Sequence, residues 1–79
     1  MRVERRPEFR LQGWHFTSTA ALAREIEALL LVTDYKLIVE VTPSELERLE
    51  YEMENVKTMG RVKIEKVEEA SIARLEEQP

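Results

Sequence analysis

Apolar positions along the chain follow two rhythms, and each change of rhythm marks where one element gives way to the next. Between Glu8 and Phe16, Phe9 and Leu11 alternate with Arg10, Gln12 and Trp14, the two-residue period of a half-buried strand. Gly13 lies inside this run with two outcomes open: an unbroken strand, or a bulge that would carry Trp14 and Phe16 from the open face to the core face. After Thr17, Ser18 and Thr19 the period lengthens. Leu22, Ile26, Leu29 and Leu30 recur at helical spacing with Arg24, Glu25 and Glu27 between them, predicting a helix over 19–32. Thr33-Asp34 reads as a turn, and Tyr35, Leu37, Val39 and Val41 then alternate with polar neighbours as a second strand.

Thr42-Pro43-Ser44-Glu45 combines a hydroxyl suited to an N-cap, a proline at the first helical position and a glutamate able to reach back to the cap amide. Leu46, Leu49, Met53 and Val56 continue the second helix, while Glu47, Glu50, Glu52 and Glu54 give it an acidic exterior. Lys57 to Gly60 breaks the pattern, and Val62 and Ile64 alternate with Arg61, Lys63 and Glu65 as a third strand. The tail has two readings: Ser71 to Leu75 as a short helix, or Val62 to Leu75 as a hairpin turning at Glu68 to Ala70. The hairpin is preferred.

Strand, helix, strand, helix, strand, joined by right-handed crossovers, predicts an α/β two-layer sandwich over a single domain of residues 1–79. Both helices cover one face of the sheet. The opposite face is expected to carry Arg10, Gln12 and Trp14 from the first strand, joined by Phe16 where no bulge forms. Lys36, Ile38 and Glu40 follow from the second, then Arg61, Lys63, Glu65 and Val67 from the third.

With Gly13 closing the first strand ahead of a helix, and with Val41, Thr42-Pro43 and an acidic helix following in order, the chain resembles the TusA/SirA type of small sulfur-carrier fold over roughly Phe9 to Leu75. That family carries its reactive cysteine-proline pair three residues after the glycine; Phe16-Thr17 stands there in this chain. The resemblance therefore implies the fold without sulfur carriage, because an aromatic ring supplies no thiolate. The same element order is similar to Alba-type nucleic-acid proteins and to the carboxy-terminal domain of translation initiation factor three, and topology alone transfers no function.

Composition narrows the chemistry. The chain has 79 residues, no cysteine and one histidine, which removes the ligands of zinc and iron–sulfur sites and the nucleophile of thiol catalysis. A domain of this length buries only roughly 60% of its unfolded surface, so self-association is the expected supplement to a small core. Asn55 is the single asparagine and Gln12 and Gln78 are the two glutamines, a scarcity of labile residues that resembles thermophilic proteins. The charged start of the chain and the shortness of its longest apolar run, Ala28 to Val32, predict a cytoplasmic protein.

His15 lies beside Thr17, Ser18 and Thr19, but no third group is in view to orient it, and one of the hydroxyls is needed to cap the helix. The reading is of no catalysis, no cofactor and no metal. The amides of that helix start have only the generic affinity for anions that every such terminus has.

Net charge is -4, yet unevenly spread. Residues 1–16 hold four arginines against two glutamates, residues 57–67 hold four basic groups against Glu65, and residues 43–56 hold five glutamates against Arg48. Adjacent first and third strands would merge Arg2, Arg5, Arg6, Arg10, Arg61 and Lys63 into a basic patch near Trp14, suited to RNA or single-stranded DNA. The preferred expectation is a non-enzymatic protein-interaction module, a homodimer or part of a larger complex. Its contact surface is formed by Trp14, Ile38 and Val67, with the basic groups solvating the sheet and pairing with Glu40 and Glu65.

Overall fold

The computed structural model describes residues 7–77, in the order β1 (Glu8–Gln12), a 3-10 turn (Gly13–His15), α1 (Thr19–Val32), β2 (Lys36–Val41), α2 (Pro43–Glu52), β3 (Val62–Lys66) and α3 (Glu69–Glu77). The three strands are all parallel in the order β1-β2-β3. Leu37 of the central strand stands between Phe9 and Val62, and Val39 between Leu11 and Ile64.

Ser18 caps α1 by accepting the Ala21 N–H, as the cluster of hydroxyls there foretells. Leu22, Ala23, Ile26 and Leu30 then form the buried stripe of that helix. It ends where the extended backbone of Thr33 takes over. The Thr33 N–H and hydroxyl both donate to the Leu29 carbonyl, and the hydroxyl accepts the Tyr35 N–H, turning the chain into β2. The α2 start is the capping box read from the sequence: Thr42 Oγ1 accepts the Glu45 N–H, and the Glu45 carboxylate accepts the Thr42 N–H. This helix stops at Glu52, short of the Val56 that its spacing suggested, because Met53 caps it and turns follow.

One apolar cluster unites Leu22, Ile26 and Leu30 of α1 with Leu37, Val39 and Val41 of β2 and Leu49 of α2, and Val62 and Ile64 pack against it from β3. The six largest fully buried side chains are Leu22, Ile26, Leu37, Leu49, Val39 and Val41, each contributing roughly 1.5–3 kcal/mol of transfer free energy. Gly13 sits where β1, β2 and α1 meet. A Cβ there would lie 2.9 Å from Val41 Cγ1, 3.1 Å from the Glu40 carbonyl oxygen and 3.2 Å from Leu22 Cδ2, so the close approach requires glycine. The chain makes a 3-10 turn here, neither an unbroken strand nor a bulge within one.

The tail is a helix, which corrects the preferred hairpin. The Ser71 and Ile72 N–H groups both donate to the Glu68 carbonyl, closing a first helical turn at the residues assigned to a β-turn. Glu68, Glu69 and Ala70 are helix formers without the glycine, asparagine or aspartate that tight hairpins use.

Candidate functional site

In open parallel sheets the carboxyl ends of the strands are where ligands gather, and here the three connections bring the polar and aromatic groups to that end. Trp14 and His15 follow β1, Thr42 to Glu45 follow β2, and α3 follows β3. A shallow cleft of about 350 Å³ is lined by Trp14, Thr42, Ser44, Glu45, Glu69 and Ile72.

One glutamate ties the first and last elements together. Glu76 Oε1 accepts the Trp14 indole N–H at 3.1 Å and lies 3.1 Å from His15 Nε2. The indole and imidazole meet edge to face, with centroids 5.9 Å apart. His15 therefore has a carboxylate partner that the sequence did not reveal, since the two residues lie 61 positions apart.

Two hydroxyls at this end of the sheet serve as helix caps. The Ser18 hydroxyl accepts from the Ala21 amide, and the Thr42 hydroxyl is engaged with the amide and carboxylate of Glu45. Among the described residues no group of three His, Asp or Glu side chains could hold a metal ion. Glu45 and Glu69 line the cleft and Glu76 stands beside Trp14 and His15, so three carboxylates gather around it.

The residues assigned to a basic patch have separate fates. Arg2, Arg5 and Arg6 lie outside the described residues. Arg10 reaches Glu40 and Glu65, both at 3.4 Å, and Lys63 reaches Glu65 at 3.5 Å, so these two cations face two carboxylates across the sheet. Arg61, expected on the open face, is instead buried, with 7% of its surface exposed. Its Nη2 donates to the Leu30 carbonyl at 2.6 Å, and its Nη1 donates to those of Thr33 at 2.8 Å and Tyr35 at 3.4 Å. The guanidinium thus fills the C-terminal end of α1, where unpaired carbonyls and the helix dipole favour a cation.

The expected contact surface is also rearranged. Trp14 and Val67 are half-buried, and Ile38 stands between Arg10 and Lys63 in register with only 5% of its surface exposed. Phe16, at the place of the sulfur carriers' cysteine, packs against the core.

Large apolar groups reach solvent elsewhere. Leu31 and Val32, at the end of α1, are 79% and 77% exposed, and Met59, in the loop before β3, is 67% exposed. Arg61 fastens that loop to the end of α1, so these groups share the amino-terminal end of the sheet, opposite the acidic cleft. A sequence signal for this was present: a helix can bury only one stripe, and the five-residue run Ala28 to Val32 goes all the way round it. Met59 also holds a positive φ of 54°, followed by Gly60 at 72°, a left-handed pair that presents the methionine outward.

Compared as a sequence with protein-family models and curated proteins, and as a structure with solved folds, the chain matches none.

Proposed function

We propose that this chain is a non-enzymatic protein-interaction module, acting in a homo-oligomer or as one part of a larger complex. The observation that carries the reading is the exposure of Leu31, Val32 and Met59 at one end of the sheet, in a chain otherwise rich in surface charge. Apolar side chains gathered on a small domain mark a contact surface, and a second protein covering them would supplement a core limited by chain length.

The proposal includes the two-layer arrangement with α1 and α2 on one face. Consecutive parallel strands in the order β1-β2-β3, joined by right-handed crossovers, support it, as does the shared cluster of α1, α2 and one side of β2. The nucleic-acid reading draws no comparable support, since Arg10 and Lys63 face carboxylates and Arg61 is buried.

A photo-cross-linking residue at Val32, in the cells that make the protein, tests the reading. The expected result is a protein adduct of definite mass that disappears when Met59→Glu is added, while far-UV circular dichroism stays unchanged. Adducts no different from those formed at exposed Glu54, or adducts to nucleic acid alone, would overturn it.

A further inference from the structure

Resting on the reading as an interaction module, we infer that the outer edge of β1 pairs with itself. Two copies of this chain join β1 to β1 antiparallel, with Phe9 on the two-fold axis, and the three strands of each copy become one continuous sheet.

The backbone sets which residues can do this. The Pro7 carbonyl accepts the Lys36 N–H at 2.9 Å, so alternate residues Pro7, Phe9 and Leu11 turn their backbone groups toward β2. Glu8, Arg10 and Gln12 turn theirs outward, to the side where, among the described residues, no strand of the sheet lies next to β1. Glu8, Phe9 and Arg10 are exposed, and Phe9 leaves 42% of a large apolar side chain in water beside the open edge. An unpaired, accessible edge with an aromatic group beside it is a template for another strand.

Charge selects both the occupant and the register. An antiparallel pair centred on Phe9 sets each Glu8 opposite Arg10 of the partner subunit, twice over, and brings the two phenylalanines together as a non-hydrogen-bonded pair. Centring on Arg10 would instead oppose two like charges, and centring on Leu11 would leave Phe9 uncovered. Glu8 has no ion-pair partner within its own chain among the described residues, and Arg10 meets Glu40 and Glu65 through Nη1 alone, both at 3.4 Å, which leaves its Nη2 to face Glu8 of the partner subunit. The other edge differs: on β3, Lys63 already meets Glu65 of its own strand, and Ile64 is half-buried against the core. Lysine on an edge strand is a usual guard against pairing.

Because the chain has no cysteine, a single introduced thiol reports the register. Across a non-hydrogen-bonded pair the two Cα atoms lie about 4.5 Å apart, within disulfide reach. Phe9→Cys is therefore expected to oxidise to a disulfide dimer, with Ile64→Cys remaining monomeric under the same conditions. In the wild-type chain, the Glu8 and Arg10 amides are expected to gain protection from hydrogen exchange as concentration rises. Glu8→Arg should raise the dimer dissociation constant about tenfold by turning both cross-strand pairs repulsive.

Cross-linking through Ile64→Cys but not Phe9→Cys would overturn the assignment in favour of the β3 edge. A monomer at all concentrations, without protection at Glu8 and Arg10, would overturn self-pairing altogether. Persistence of the Val32 adduct in that case would show that the interaction reading survives it, and loss of both would show that neither holds.

Discussion

Replacing Arg61 by alanine should destabilise this fold more than any other single change to a charged residue. Its guanidinium is buried against three carbonyls, two of them at 2.6 and 2.8 Å and the third at 3.4 Å. Hydrogen bonds to a charged group contribute roughly 1.5–3 kcal/mol each, and the two short ones dominate. Water entering the vacated space recovers part of the loss, leaving a net cost of about 3 kcal/mol. A domain of this size has a total stability of roughly 4–12 kcal/mol, so the change removes a quarter or more of it. The midpoint of thermal unfolding should fall by roughly 12–24 °C. Urea unfolding followed by far-UV circular dichroism measures the cost, with the slope against denaturant unchanged if only the folded state is affected. Arg61→Lys should recover less than half, since an ammonium on a flexible stem cannot span acceptors on Leu30, Thr33 and Tyr35 together. A loss below about 1 kcal/mol for Arg61→Ala would refute the reasoning and place the guanidinium outside the interior.

Gly13→Ala should lower stability by about 1–3 kcal/mol, because the new methyl has to push apart Val41, Leu22 and the β2 backbone; an unchanged melting temperature would show that this junction has room. Glu76→Ala should leave global stability within about 1 kcal/mol, as Glu76 and His15 are exposed and Trp14 only half-buried, while amide exchange in α3 quickens and Trp14 emission shifts to the red. Unaltered exchange in α3 would mean that the Glu76 contacts do not hold the helix.

What could be read from the residues was what local chemistry dictates. Thr42, Pro43 and Glu45 announce the α2 start because every participant in the cap lies within four positions, and the hydroxyl cluster Thr17 to Thr19 announces α1 without saying which member caps it. The alternation of Leu37, Val39 and Val41 fixes the core side of β2. The misplacements arise where a distant partner decides. Strand parity puts Arg61 with Lys63 and Glu65 on the open face, but it lies just before β3 begins, and its long side chain reaches acceptors 26 to 31 residues earlier. Ile38 was expected bare and is covered, flanked in register by Arg10 and Lys63, whose aliphatic stems can shield it while their charged ends meet glutamates. The tail was ambiguous because Val62 to Leu75 satisfies both periodicities, and the carboxylate that meets Trp14 and His15 lies beyond any local window.

The Arg61 contacts also bear on how finely this chain can be divided. The first strand, helix and second strand look like a self-sufficient β-α-β unit, yet the acceptors on Leu30, Thr33 and Tyr35 receive their donors from a residue encoded after α2. Cut away from that donor, the front portion would leave the last carbonyls of its helix to water alone and lose the tie that fixes the helix end to the sheet, so its stability depends on a residue encoded beyond α2.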